Sequence, residues 1–273
     1  MSETKSPSIE RILSFDIGVR NLSYCLVEYN ITSASWSEFR VLEWKVIDLL
    51  AGDDDSDTTA KAPRASSKTK TINIHILCKN LIAHLVSRLP LLDAPLHYVL
   101  VEQQPLGKNP FAQRQQGNPR MKVIENTILN FYTFYYMWND KGYATPCITA
   151  LSAMNKLKCV LDSTTMFKPP LTKAPKMDYR QRKQFTVDEC KKLVRWSAPL
   201  SHDVKACLQR KKMDDLSDCM MQAIYMIQIK HTKKQRKPRK PRTSKKRKRD
   251  DEEDDIDDDD EEDVQDDNVD DIE

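Results

Sequence analysis

Three stretches far apart in this chain set carboxylates against apolar runs: ILSFDIG around Asp16, HYVLVEQQ around Glu102, and MDDLSDCMM with Asp214, Asp215 and Asp218. An unpaired carboxylate withdrawn from water is costly, so a fold that accepts all of them has to gather them around something cationic. Alternation along an extended chain puts Ile12, Ser14 and Asp16 on one face, and likewise Tyr98, Leu100 and Glu102. If those two strands are neighbours, the two acids converge. On a helix turning about 100° per residue, Leu216, Cys219, Met220, Ala223, Ile224 and Ile227 form one apolar arc. Asp215 and Asp218 flank its edge, whereas Asp214 falls almost opposite and suits solvent or an N-cap.

The surrounding pattern alternates strands and helices. Ile12–Ile17, Asn21–Tyr29 and Phe39–Leu50 read as three strands of an antiparallel meander. Ala51–Lys70 has almost no large apolar residue and is expected to be a mobile loop. Ile72–Leu89 has helical spacing, and His97–Gln104 reads as a central strand ending in a carboxylate. Pro119–Trp138 is a long helix, aromatic nearly all round in its second half, which calls for burial by the domain or by a second subunit. Tyr143–Ala150 is a short strand and the Pro- and Lys-rich Asp162–Lys183 a loop. Thr186–Trp196 and Met213–Lys230 are the last helices. The order predicts a mixed sheet with helices on its faces.

Charge is segregated. The 273 residues hold 44 Lys+Arg against 41 Asp+Glu, a net charge of only +3. Yet 233–249 carries 12 basic and no acidic residues, and 250–273 carries 18 acidic and no basic ones. Positions 1–232 keep 32 basic and 23 acidic residues, a body suited to a polyanion. The expected organisation is a flexible leader over 1–8, one domain over 9–231 and a disordered basic-then-acidic tail over 232–273.

Several function classes drop out. The 7 Cys never fall as C-x-x-C and their number is odd, which argues against a zinc ribbon or disulfide framework and fits a reducing compartment. The 5 Gly form neither G-x-G-x-x-G nor a P-loop, so a nucleotide cofactor is not expected. The sequence shows no signal peptide and no membrane span. An intracellular protein is the expectation, and KKRKR tilts it toward a nucleus over a cytoplasmic replication site.

Four carboxylates within a few ångströms repel one another by several kcal/mol even at an effective dielectric of about 20. The natural cation is Mg2+, with Mn2+ as a substitute. Hard divalent ions take oxygen ligands, and two of them can activate water and stabilise the leaving oxygen of a phosphodiester. Asp16, Glu102, Asp215 and Asp218 are the candidate ligands. Arg20, Gln103, Arg114, Arg120, Lys122, Lys211 and Lys212 are candidate DNA contacts, set against a plain reading as solvated surface charge.

DIGVRN beside short strands, VEQQP on a later strand and KKMDDLSD opening a C-terminal helix together resemble the Holliday junction resolvases of the RNase H-like superfamily. The poxvirus and large-DNA-virus type is the most similar, with fungal mitochondrial and bacterial RuvC enzymes further off. The resemblance implies an RNase H-like mixed five-stranded sheet flanked by helices. It also implies a homodimer that binds four-way DNA and nicks opposed strands with Mg2+, leaving 5′-phosphate ends, in viral recombination and replication. Asp16, Glu102, Asp215 and Asp218 match the family's catalytic acids, and Lys156, with Lys158 as runner-up, its phosphate-contacting lysine. The rivals are an inactive branched-DNA-binding protein, a broader branched-DNA nuclease, and an actin-like ATPase, whose glycine motifs are absent.

Overall fold

The computed structural model describes residues 8–51, 73–89, 94–104, 118–139, 144–197 and 213–235. The expected mobile loop, almost all of the leader, most of the tail, and Arg114, Lys211 and Lys212 lie outside these residues. The described elements fall in the compact unit Met1–Arg236.

Strands β1 (Ile9–Asp16), β2 (Leu22–Asn30) and β3 (Phe39–Ile47) form the expected antiparallel meander. Helix α1 (Ile74–Arg88), capped by the Asn73 side chain, leads to β4 (Tyr98–Gln103), which joins the sheet parallel to β1. Helix α2 (Pro119–Trp138) then leads to β5 (Cys147–Ser152), parallel to β4. The sheet order is β3-β2-β1-β4-β5. This is a mixed five-stranded sheet flanked by helices, as the resemblance implied. Helices α3 (Tyr179–Trp196) and α4 (Asp214–Gln235) complete it.

Period-two alternation splits the core in two. Leu13, Phe15, Val99 and Val101 face α1 and α2 through Leu77, Leu81, Leu85, Ile124 and Ile128. Ile12 and Leu100 face α3 and α4 through Cys190, Leu193, Leu216, Met220 and Ile224. No helix among the described residues is long and apolar enough to cross a membrane. All six cysteines among them are free thiols.

Four expectations about elements change. The strand placed at Tyr143–Ala150 is Cys147–Ser152, because the ladder with β4 begins at Tyr98–Cys147, immediately after Pro146, which has no N–H to donate. The loop assigned to Asp162–Lys183 gives way at Tyr179, where Asp178 and Gln181 make a reciprocal capping box that starts α3 seven residues early. The last helix runs on to Gln235, into the basic run. The aromatic half of α2 is only partly covered within the chain: Tyr132 is buried, while Phe134, Met137 and Trp138 are exposed and Phe134 stacks on Trp138 at 5.1 Å.

Polar rungs fix α4 on the sheet. The Ser14 hydroxyl donates to Gln222 Oε1 at 3.1 Å, the Ser23 hydroxyl to the Asp215 carbonyl at 2.6 Å, and the Trp44 indole to the Leu216 carbonyl at 2.9 Å. Further along, Lys230 pairs with Glu10, which also accepts from the Tyr29 hydroxyl at 2.7 Å. Gly18 closes the turn after β1, where any Cβ would sit 2.6 Å from the Asn21 carbonyl oxygen. Ser14→Ala strands a buried amide oxygen and is expected to cost about 1–3 kcal/mol in denaturant unfolding. Adding Gln222→Leu to it is expected to recover most of that loss, because neither partner is then left unsatisfied.

Candidate active site

The parallel register of β1 and β4 runs through Ser14–Leu100 and Phe15–Val101. Asp16 and Glu102 are the next residues and stand side by side at the carboxyl ends of the strands, the usual ligand-binding end of an open α/β sheet. The first turn of α4 is held against the same end by Ser23 and Trp44, and this brings Asp215 and Asp218 to the place. The turn after β5 supplies Lys156 in a short 3-10 segment, Lys156–Lys158.

The Lys156 ammonium lies 3.3 Å from Asp16 Oδ1, 3.4 Å from Glu102 Oε1 and 2.5 Å from Asp218 Oδ2. None of these four side chains is more than 16% exposed. Asp215 lines the same cavity, of about 270 Å3, together with Met154, Tyr179, Arg182, Lys183 and Thr186. Lys158 turns elsewhere, onto Asn155 and toward the Tyr225 ring.

Burial dominates the electrostatics. It drives the Asp16 carboxyl well above the usual carboxylate range; Lys156 opposes this, while Glu102 and Asp218 add to it. Asp218 is also raised by burial, against the pull of Lys156. Burial would raise Glu102 too, but a hydrogen bond with the Asp16 carboxyl and the nearby ammonium bring it below its ordinary value. Within one hydrogen-bonded group, burial thus sets Asp16 and Asp218 above their ordinary values, while Glu102 lies below its own. Burial works against the charge of Lys156, yet the three carboxylates outweigh it and hold the ammonium protonated.

The acids are chemically suited to a hard divalent cation: every donor is a carboxylate oxygen, and Asp218 Oδ1 is buried without a hydrogen-bond partner. Among the described residues no three side chains are already spaced as a metal shell. The Lys156 ammonium sits among Asp16, Glu102 and Asp218, in contact with each.

The other sequence candidates fall in different surroundings. Asp214 is ion-paired with Lys183 and is mostly buried, so it does not face open solvent. Arg20 is exposed in the turn after β1, Gln103 is exposed at the end of β4, and Arg120 lies in the first turn of α2. Lys122 is bound to buried Glu125 at 2.7 Å, and Glu125 also accepts from the Gln104 N–H. The cavity wall contributed by Tyr179, Arg182 and Lys183 escaped the sequence reading. The D-x-x-Q box at Asp178 was the signal that could have placed those three on a helix facing the acids.

Replacing Lys156 with Met leaves three buried carboxylates without their cation and is expected to lower stability by roughly 3–5 kcal/mol near neutral pH. Asp16 and Asp218 already have raised values in the folded state, and losing the ammonium raises them further. Their folded-state stability is therefore fullest at low pH and is lost as pH rises through those values. The deficit of the variant should shrink on mild acidification, as read by chemical denaturation of wild type and variant across pH.

Comparison with curated proteins gives no match. Among solved structures the chain is similar to the yeast mitochondrial Holliday junction resolvase Ydc2, at 17% identity and a TM-score of 0.47, over 85% of this chain and 87% of that one. It is also similar to Thermus thermophilus RuvC, at 12% identity and a TM-score of 0.43, over 80% and 95%. RuvC of the same organism in complex with a Holliday junction substrate aligns at 12% identity and a TM-score of 0.38, over 80% and 94%. Residues 12–132 match the family model described as mitochondrial resolvase Ydc2 / RNA splicing MRS1. That match spans the stretch that supplies Asp16 and Glu102, and over it the chain is similar to the family so described.

Proposed function

We propose that this protein is a divalent-metal-dependent endonuclease that resolves four-way DNA junctions. The observation that carries the reading is the convergence of Asp16, Glu102 and Asp218, from β1, β4 and α4, on one buried cation, with Asp215 in the same cavity. A structural role alone does not call for so many acids at the open end of a sheet. Mg2+ held by these carboxylates would supply an activated water and charge neutralisation at the departing oxygen.

The chain's own residues then have defined tasks. Asp16 and Glu102, fixed by the strand register, form one wall of the ion site. Asp215 and Asp218 form the facing wall from a helix whose first turn is pinned to β2 and β3. Lys156 neutralises the acids in the free protein, and its ammonium is the cation that would lie beside a phosphate seated over them. The basic body favours approach of DNA.

The junction substrate is supported by the family-model match over residues 12–132, whose description names a mitochondrial resolvase. Paired nicks across a junction require two active sites, hence a homodimer. The exposed Phe134, Met137 and Trp138 on α2 give such a contact an apolar surface. The family description also names an RNA splicing protein, so a nucleic-acid-binding role without cleavage is the second reading. Retention of the acids favours the enzyme.

Asp16→Asn or Asp218→Asn is expected to reduce nicking of a synthetic mobile four-way junction in Mg2+ at least 100-fold while junction binding persists. Cleavage by either variant at the wild-type rate refutes the assignment, and binding by the wild type without metal-dependent cleavage favours the second reading. Trp138→Ser with Phe134→Ser is expected to shift the protein toward a monomer in sedimentation velocity; an unchanged dimer places the contact elsewhere.

A further inference from the structure

Among the described residues the cavity is lined by three cations, Lys156, Lys183 and Arg182. Lys156 is committed to three carboxylates. Lys183 is paired with Asp214 and lies 5.1 Å from the centre of the Tyr179 ring; burial opposes its charge, but Asp214 and the Tyr179 hydroxyl hold it above the ordinary lysine value. Arg182 is different. Among the described residues its guanidinium has no carboxylate partner, only the Met154 sulfur at 3.8 Å from one terminal nitrogen and the Tyr179 ring at 6.0 Å. Its Nε is buried and, among the described residues, has no acceptor.

A buried guanidinium donor without an acceptor is a standing cost in the free protein. The acids do not relieve it, although they line the same cavity, because Lys156 already holds three of them. What fits a fork of N–H donors is an oxyanion that offers two oxygens side by side, such as a phosphate, and on the wall of a carboxylate cage that anion has to come from outside. Tyr179 stands next to it, 67% exposed, with its ring flanked by Arg182 and Lys183. A ring so placed offers a flat apolar face beside the phosphate position, as a nucleobase or sugar requires.

Resting on the nuclease reading above, we infer that the N-terminal turn of α3 is the strand-binding rim of the active site. Arg182 clamps a backbone phosphate of the strand laid over the acids, and Tyr179 packs against the adjoining nucleoside. Arg182 is a binding residue here and takes no part in the bond-breaking step. The Arg182–Met154 contact links this rim to the turn that presents Lys156, so the phosphate clamp and the cage cation are set by one short stretch, Met154 to Lys156.

The test is junction binding by the full chain in Ca2+ at several salt concentrations, together with cleavage kinetics in Mg2+. Arg182→Met preserves the apolar contacts with Met154 and Tyr179 and removes the charge. It is expected to weaken binding roughly 10-fold and to make the log–log salt dependence shallower by about 0.7–0.9, the share of one phosphate. In cleavage, KM should rise more than kcat falls. Arg182→Lys is expected to restore the salt slope but only part of the affinity, since an ammonium lacks the fork. Tyr179→Ala should weaken binding with no change of slope. A residue that merely supports the fold would leave the slope alone, so an unchanged slope and KM in a folded Arg182→Met protein overturns the proposal. A second measurement uses the wild type: an arginine-selective dicarbonyl, with modified sites mapped by mass spectrometry. DNA should protect Arg182, and equal reactivity with and without junction overturns the clamp. A wild type that neither binds nor nicks the junction fails the parent reading instead.

Discussion

One ammonium among three carboxylates governs this molecule. Burying Asp16, Glu102 and Asp218 without a cation would cost several kcal/mol for each charge, and Lys156 makes their common burial tolerable. Among the described residues one ammonium contacts three acids directly, an imbalance in which burial pushes the Asp16 carboxyl well above its ordinary value. A divalent ion, under the proposed function, would ease that imbalance, so the stability of the free protein and the proposed activity draw on the same group of charges.

The imbalance is maintained by a scaffold that allows the acids little freedom. Asp16 and Glu102 are placed by strand register, and a one-residue slip of either strand would turn its acid to the opposite face. The α4 acids are placed by side chains reaching up from the meander, Ser23 and Trp44, that bond to carbonyls in the first turn of the helix. Those carbonyls are taken by neighbours that are themselves buried, so the helix start is fixed in both position and rotation. The cavity owes its acids to β1, β4 and α4, and its cations to the turn after β5 and to α3. Its charge balance is thus assembled from segments with no sequence proximity.

Much of this was legible beforehand, for particular physical reasons. Asp16, Glu102, Asp215 and Asp218 each interrupt a local pattern of period 2 or 3.6, and an acid in an apolar pattern is visible without knowing the fold. Their convergence needed the strand order, which the motifs' resemblance to resolvases supplied. Lys156 was reached only through that resemblance, because a lysine in a turn leaves no periodic trace. Tyr179, Arg182 and Lys183 were hidden because the segment before them is rich in Pro and Lys, which obscured the cap at Asp178. Lys122, read as a candidate DNA contact or as solvated surface charge, is paired with Glu125 one helical turn away, an i,i+3 pairing that a sequence does contain.

The rungs between β1 and α4 have a metric consequence. Asp218, Gln222 and Lys230 on the helix meet the strand's Asp16, through Lys156, then Ser14 and Glu10. Four helical residues rise about 6 Å and eight about 12 Å, against roughly 6.6 and 13 Å for two and four residues of strand. The two lattices are commensurate over this span, which is why all three tie points can be made at once. A single-residue insertion between Asp218 and Lys230 would swing everything beyond it by about 100° and undo the distal fastenings together. This pairing of helix and strand should consequently accept changes of side chain far more readily than changes of length.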